Sequence, residues 1–68
     1  MIVTLNGELR EIEDGTTVAT LVSLVSRSEG GRGVAVAVGG EVVPRRQWQT
    51  TKVAAGAHVE VVAAIQGG

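Results

Sequence analysis

The start of the chain has the pattern of a β-hairpin. The opening sequence MIVTLN alternates with a period of two, which is the spacing of a strand with one buried face. Asn6 and Gly7 follow, and this pair favours a two-residue hairpin turn because both turn positions take positive φ. Residues 8–12 then predict the returning strand, with Ile12 against the core and Leu9 partly exposed near the turn.

The next segment has the spacing of an amphipathic helix. Thr17 is the predicted N-cap, and Thr20 stands where a capping box has Glu or Gln. β-Branched residues lower the helix propensity here, so we expect packing on a sheet to stabilise the helix. Gly30 or Gly31 is the predicted C-terminal stop. Apolar residues recur at helical spacing at Val18, Leu21, Val22 and Val25.

The second half of the chain predicts three further strands. Residues 34–38 are apolar on both faces, which favours a central strand covered on at least one side. A Gly39-Gly40 turn leads to a short strand that ends at Pro44, since proline has no N–H for the ladder. Residues 45–48 predict a short helical turn, and residues 58–64 predict the last strand.

This order of elements predicts an α+β fold of the β-grasp type. One main helix would cover one face of a mixed sheet of four to five strands. The helix also provides a right-handed crossover that can bring the third strand beside the first, and the last strand is expected to be central. Residues 1–65 are the predicted domain, and residues 66–68 a flexible C-terminal tail.

Composition narrows the classes of function. A chain of 68 residues allows one domain, and six basic against seven acidic residues argue against a nucleic-acid or anionic-membrane partner. No apolar stretch approaches the roughly 20 residues of a membrane helix, and the start lacks the basic region of a signal peptide. The absence of cysteine excludes disulfides and thiolate metal sites and fits a cytoplasmic protein.

Ionisable side chains offer no catalytic constellation. His58 is the only histidine, with Glu60 on the same strand face, and a nucleophile or further metal ligands would have to accompany it. Glu11, Glu13 and Asp14 are interpreted as a solvated strand end, because an acid–base pair needs a cleft. We therefore predict no catalytic residue, no metal site and no bound cofactor.

One basic and aromatic cluster leaves an alternative open. Arg45, Arg46 and Trp48 could form a non-covalent binding module, for instance a clamp for single-stranded nucleic acid. We favour a structural role for Trp48 at the sheet edge, as the largest side chain of a small-residue core. The two arginines would then be solvated or contact a partner.

The chain ends on Gly67 and Gly68, after the predicted last strand. Activation of a terminal carboxylate by ATP gives an acyl-adenylate, a good electrophile. The tail would have to thread a narrow site, and two glycines remove Cβ crowding and widen the accessible backbone conformations. Such a protein would need no catalytic residue of its own.

Taken together, these segments resemble the ThiS family of sulfur carriers in thiamine biosynthesis, which are small β-grasp proteins. The resemblance covers essentially the whole chain, and Val-Pro-Arg-x-x-Trp with the terminal glycine pair is its most specific part. It is carried by Asn6-Gly7, residues 14–18, residues 34–38, residues 43–48 and Gly67-Gly68.

The resemblance implies a mechanism and partners. A ThiF-like enzyme would use ATP to adenylate the carboxylate of Gly68, with Gly67 threading the tail. A sulfur donor system would convert the adenylate to a thiocarboxylate, and a ThiG-like thiazole synthase would take the sulfur. Val62, Ile65 and Gln66 would contribute to partner docking. The alternatives are a MoaD-like or other metabolite sulfur carrier and a ubiquitin-like protein modifier.

Overall fold

The computed structural model describes residues 1–25 and 33–63 and shows one mixed sheet packed on a helix. The strands are β1 (Ile2–Leu5), β2 (Glu8–Glu11), β3 (Val34–Val38), β4 (Glu41–Val42) and β5 (His58–Ala63). Across the sheet they follow the order β2-β1-β5-β3-β4. Helix α1 spans Val18–Val25, and a 3-10 turn spans Arg45–Gln47.

The predicted first hairpin is confirmed. Asn6 has a φ of 52° and Gly7 a φ of 84°, so both turn positions lie in the left-handed region that a tight antiparallel turn requires. Leu9 is exposed, and Ile12 packs against the core, both as predicted. Strand β2 ends one residue earlier than predicted, although the Ile12 N–H still donates to the Met1 carbonyl over 2.8 Å.

Helix α1 begins at the predicted cap. The Thr20 N–H donates to Thr17 Oγ1 over 3.2 Å, and the Thr17 hydroxyl donates to Thr20 Oγ1 over the same distance. Thr17 therefore caps the helix, while the reciprocal bond of a capping box, from the side chain at position 20 to the Thr17 N–H, is not made. The predicted stop at Gly30 or Gly31 lies outside the described residues. No helix in residues 1–25 and 33–63 is long and apolar enough to cross a membrane.

The loop before β5 satisfies the other free N–H groups of the first helical turn. A helix leaves its first N–H groups without intrahelical acceptors. Here the Val18 N–H donates to the Thr51 carbonyl over 2.9 Å, and the Ala19 N–H donates to the Trp48 carbonyl over 3.0 Å. An isolated antiparallel β-bridge pairs Thr17 with Lys52 in the same region. Residues 48–52 are therefore docked on the helix N-terminus.

The core lies between α1 and one face of the sheet. Val3 and Leu5 of β1, Val36 of β3 and Val59 of β5 point towards the helix, as period-two alternation requires. Trp48, the one aromatic residue of the sequence, is buried in this otherwise aliphatic core. Buried apolar residues in the described part of the chain are Val3, Leu5, Val18, Leu21, Val22, Val36, Trp48, Val53 and Val59.

One topological expectation is wrong. Strand β3 does not lie beside β1, because β5 is inserted between them. Strand β5 pairs parallel with β1 at Thr4↔His58 and Leu5↔Val59. It pairs antiparallel with β3 along the full length of β3. The six residues of β5 pair with all five residues of β3 on one side and with β1 at two positions on the other. The expectation of a central last strand is confirmed.

The helix cap yields a stability prediction. Thr17→Ala removes the oxygen that accepts the Thr20 N–H, and we expect the free energy of unfolding to fall by about 1 kcal/mol. Urea unfolding followed by circular dichroism measures the loss. Thr17→Ser keeps the hydroxyl and should retain most of the stability. Equal losses in the two variants would show that the methyl group, and not the cap, is responsible.

Candidate functional site

The sheet face opposite α1 carries no layer of described residues. Cross-strand pairs such as Thr4↔His58 and Ala35↔Val62 place alternate residues of each strand on this side. We call it the open face. Its residues are Ile2, Thr4, Leu9, Glu11, Ala35, Ala37, Val42, His58, Glu60 and Val62.

Most large exposed apolar side chains of the described residues lie on this face. Ile2, Leu9, Val42 and Val62 are on it, whereas Leu24 is on α1. Single exposed apolar residues are normal on proteins, so their number alone indicates little. Four of these five side chains share the open face of the sheet, and this shared position indicates an interaction surface.

Four apolar residues of the open face lie next to one another on strands β3, β4 and β5. Val62 lies directly opposite Ala35, and Val42 lies directly opposite Ala37 on the next strand. We call these four residues the Val62 patch. Val62 is 54% exposed and Val42 is 74% exposed. The patch lies where β5 ends, next to the point at which the chain continues towards its C-terminal residues.

His58 and Glu60 lie in the middle of the open face. Both are exposed, and with Thr4 they line a depression of about 450 Å³ between the Gly7 and Gly39-Gly40 turns. Across the described ranges, no three histidine, aspartate or glutamate side chains come together as a metal site. The depression offers an imidazole, a hydroxyl and a carboxylate on a solvated surface, and no nucleophile with a positioned base.

Trp48 is a core residue, as we favoured from the sequence. It is 5% exposed, and its indole N–H donates to the Val43 carbonyl over 2.9 Å. The Arg45 guanidinium carbon lies 5.2 Å from the ring centroid, over one ring face. Arg45 and Arg46 are themselves exposed. The ring is therefore not available as a stacking platform, which removes the aromatic part of the binding-module alternative.

The structure places only one of the predicted functional residues. Val62 lies on β5, and its side chain is on the open face. Ile65, Gln66, Gly67 and Gly68 lie outside the described residues. The described chain ends at Ala63, which pairs with Val34 of β3. The last described residues, up to Ala63, thus belong to the central strand of the sheet.

Sequence reasoning missed one contact at this end of β5. Asn6 was assigned only to the hairpin turn. Its side-chain Oδ1 accepts the Val61 N–H over 2.9 Å, and its Nδ2 donates to the Val61 carbonyl over 3.1 Å. Aspartate or glycine could serve the same turn, so the choice of asparagine was the only available signal.

Comparison with known proteins identifies the family. The sequence profile of the ThiS family matches residues 3–68. The chain belongs to the ThiS family. A crystal structure of the thiamine biosynthesis protein ThiS from Geobacter metallireducens superposes with a TM-score of 0.83 at 29% identity, covering 100% of both chains.

A second solved structure agrees. The solution structure of a thiamine biosynthesis protein from Geobacter metallireducens gives a TM-score of 0.77 at 28% identity, covering 100% of this chain and 88% of the other. A comparison with curated proteins gave no match. The β-grasp prediction is confirmed, and ThiS proteins are small sulfur carriers that act with enzymes of thiamine biosynthesis.

Proposed function

We propose that this ThiS-family chain carries sulfur as a thiocarboxylate on Gly68. A ThiF-like enzyme adenylates the Gly68 carboxylate with ATP, a sulfur donor system supplies the sulfur, and a ThiG-like thiazole synthase receives it. The observation that supports this most directly is the family match, which extends through residue 68 and therefore includes Gly67 and Gly68. The protein itself is a carrier, and the partner enzymes supply the catalytic groups.

The chemistry at Gly68 consists of two substitutions. A carboxylate oxygen attacks the α-phosphate of ATP, and pyrophosphate leaves. Sulfide-level sulfur from the donor system then attacks the carbonyl carbon of the acyl-adenylate, a C–S bond forms, and AMP leaves with the former carboxylate oxygen. The first step needs the carboxylate oxygen in line with the α-phosphate, and the second needs the carbonyl carbon within reach of the sulfur, so accurate placement of the tail is this chain's own contribution.

Docking on the Val62 patch would bring the tail to the adenylating enzyme. Gly68 follows Val62 by six residues, and an extended chain of that length spans at most about 20 Å. An enzyme bound on this patch can therefore receive Gly68 within about 20 Å of the interface. We assign the patch to the ThiF-like enzyme, with Ile65 and Gln66 as further contacts along the path.

A mass measurement tests the carrier function. After incubation with a ThiF-like enzyme, ATP and a sulfur donor, we expect the intact mass to rise by the difference between sulfur and oxygen. Deletion of Gly68 should abolish the change, because the reacting group is then misplaced. Covalent conjugates of much higher mass would instead identify a ubiquitin-like modifier. An unmodified mass under conditions that convert another ThiS protein would contradict the proposal.

Gly67→Val tests the threading of the tail. A β-branched side chain adds bulk at Cβ and narrows the backbone conformations beside the reacting carboxylate. We expect a folded protein with a circular dichroism spectrum like that of the parent chain, and adenylation measured by pyrophosphate release should fall strongly. Gly67→Ala adds only one methyl group and should retain more activity. Unfolding of the valine variant would place residue 67 in the core.

Val62→Lys tests the docking surface. A charge at the centre of an apolar contact must be desolvated, so we expect the KM of the adenylating enzyme for the carrier to rise about tenfold. Leu24→Lys is the matched control, because Leu24 is 62% exposed and lies on α1, in the other layer. Its KM should stay near that of the parent. Equal KM values for the two variants would exclude the Val62 patch as the docking surface.

A further inference from the structure

Asn6 lies where the parallel pairing of β1 with β5 is interrupted. The ladder starts regularly, with the Thr4 N–H donating to the Ala57 carbonyl over 2.9 Å. The Asn6 N–H then donates to the Val59 carbonyl, also over 2.9 Å. At Asn6 the backbone enters the left-handed region, with a φ of 52°, and the hairpin turn carries it away from β5.

The Asn6 side chain takes over the next step of this ladder. In a regular parallel pair, the carbonyl of Asn6 would accept the Val61 N–H, and the N–H of residue 8 would donate to the Val61 carbonyl. The turn removes both backbone groups. The side-chain amide replaces them, since Oδ1 accepts over 2.9 Å and Nδ2 donates over 3.1 Å.

The backbone N–H and carbonyl of Val61 point towards β1 because of the position of Val61 in the antiparallel pairing of β5 with β3. The Gly39 N–H donates to the His58 carbonyl over 2.8 Å, so the backbone N–H and carbonyl of His58 point towards β3. These groups point to alternate sides in successive residues of a strand, and those of Val59 and Val61 therefore point towards β1. Strand β1 ends at Leu5, opposite Val59. Beyond that point, the Asn6 side chain hydrogen-bonds both backbone groups of Val61 on the β1 side of β5.

We propose that Asn6 is a positioning residue that fixes the end of β5 and hence the base of the C-terminal segment. The asparagine side chain suits this role because it tolerates positive φ and carries both a donor and an acceptor. Glycine would serve the turn without the clamp, and aspartate would bring a carboxylate oxygen against the Val61 carbonyl. The part of the proposal that concerns sulfur loading rests on the proposed function.

Amide hydrogen exchange tests the clamp without any partner enzyme. In Asn6→Gly the turn is retained, and we expect the Val61 amide to exchange about tenfold faster relative to the Val59 amide. Asn6→Asp should change the ratio in the same direction. Thr17→Ala is the control for general destabilisation and should leave the ratio unchanged. An unchanged ratio in both Asn6 variants would refute the clamp.

Sulfur-loading kinetics test the positioning role. With the ThiF-like enzyme in the thiocarboxylate assay, Asn6→Gly should lower kcat about tenfold and leave KM within about twofold, since the Val62 patch is intact. Thr17→Ala should change neither constant while it remains folded. Faster Val61 exchange with an unchanged kcat would show a purely structural clamp. If the parent chain forms no thiocarboxylate, the proposed function fails. The amide exchange ratio of Val61 to Val59 would still show whether the Asn6 side chain fixes the end of β5.

Discussion

The fold depends on the insertion of β5 between β1 and β3. This strand comes from the far end of the described chain, yet it pairs on both sides and supplies Val59 to the core. Its pairing joins the first hairpin to the β3–β4 hairpin, and the combined sheet gives α1 an aliphatic surface to cover. Helix α1, with eight residues and few strong helix formers, depends on that surface for its stability.

The same pairing explains how a small protein can serve as a carrier. A terminal segment that starts from an edge strand or a loop would inherit the motion of its base. Here the segment starts from a central strand, held along β3 by backbone pairs and near Val61 by the Asn6 amide. The open face beside it carries the exposed apolar side chains on which the proposed docking of partner enzymes depends.

Trp48 shows why side-chain burial decides between two interpretations of one motif. In sequence, an aromatic residue beside two arginines left a nucleic-acid clamp open, although we favoured a core closure. In the folded chain, the Pro44 turn directs the indole inward, and Arg45 covers one ring face. The ring therefore contributes apolar burial, and its N–H is satisfied by the Val43 carbonyl.

The sequence alone determined the local elements, because these follow from short-range rules. Asn6-Gly7 predicted the hairpin, Thr17 the helix start, and the apolar run at 34–38 a strand paired on both sides; the resemblance added the β-grasp fold and the ThiS family. Only the tertiary structure decided the strand order, the burial of Trp48, the patch around Val62 and the bonds from Asn6 to Val61. Each of these joins residues far apart in the chain, and period and turn chemistry carry no information about such partners.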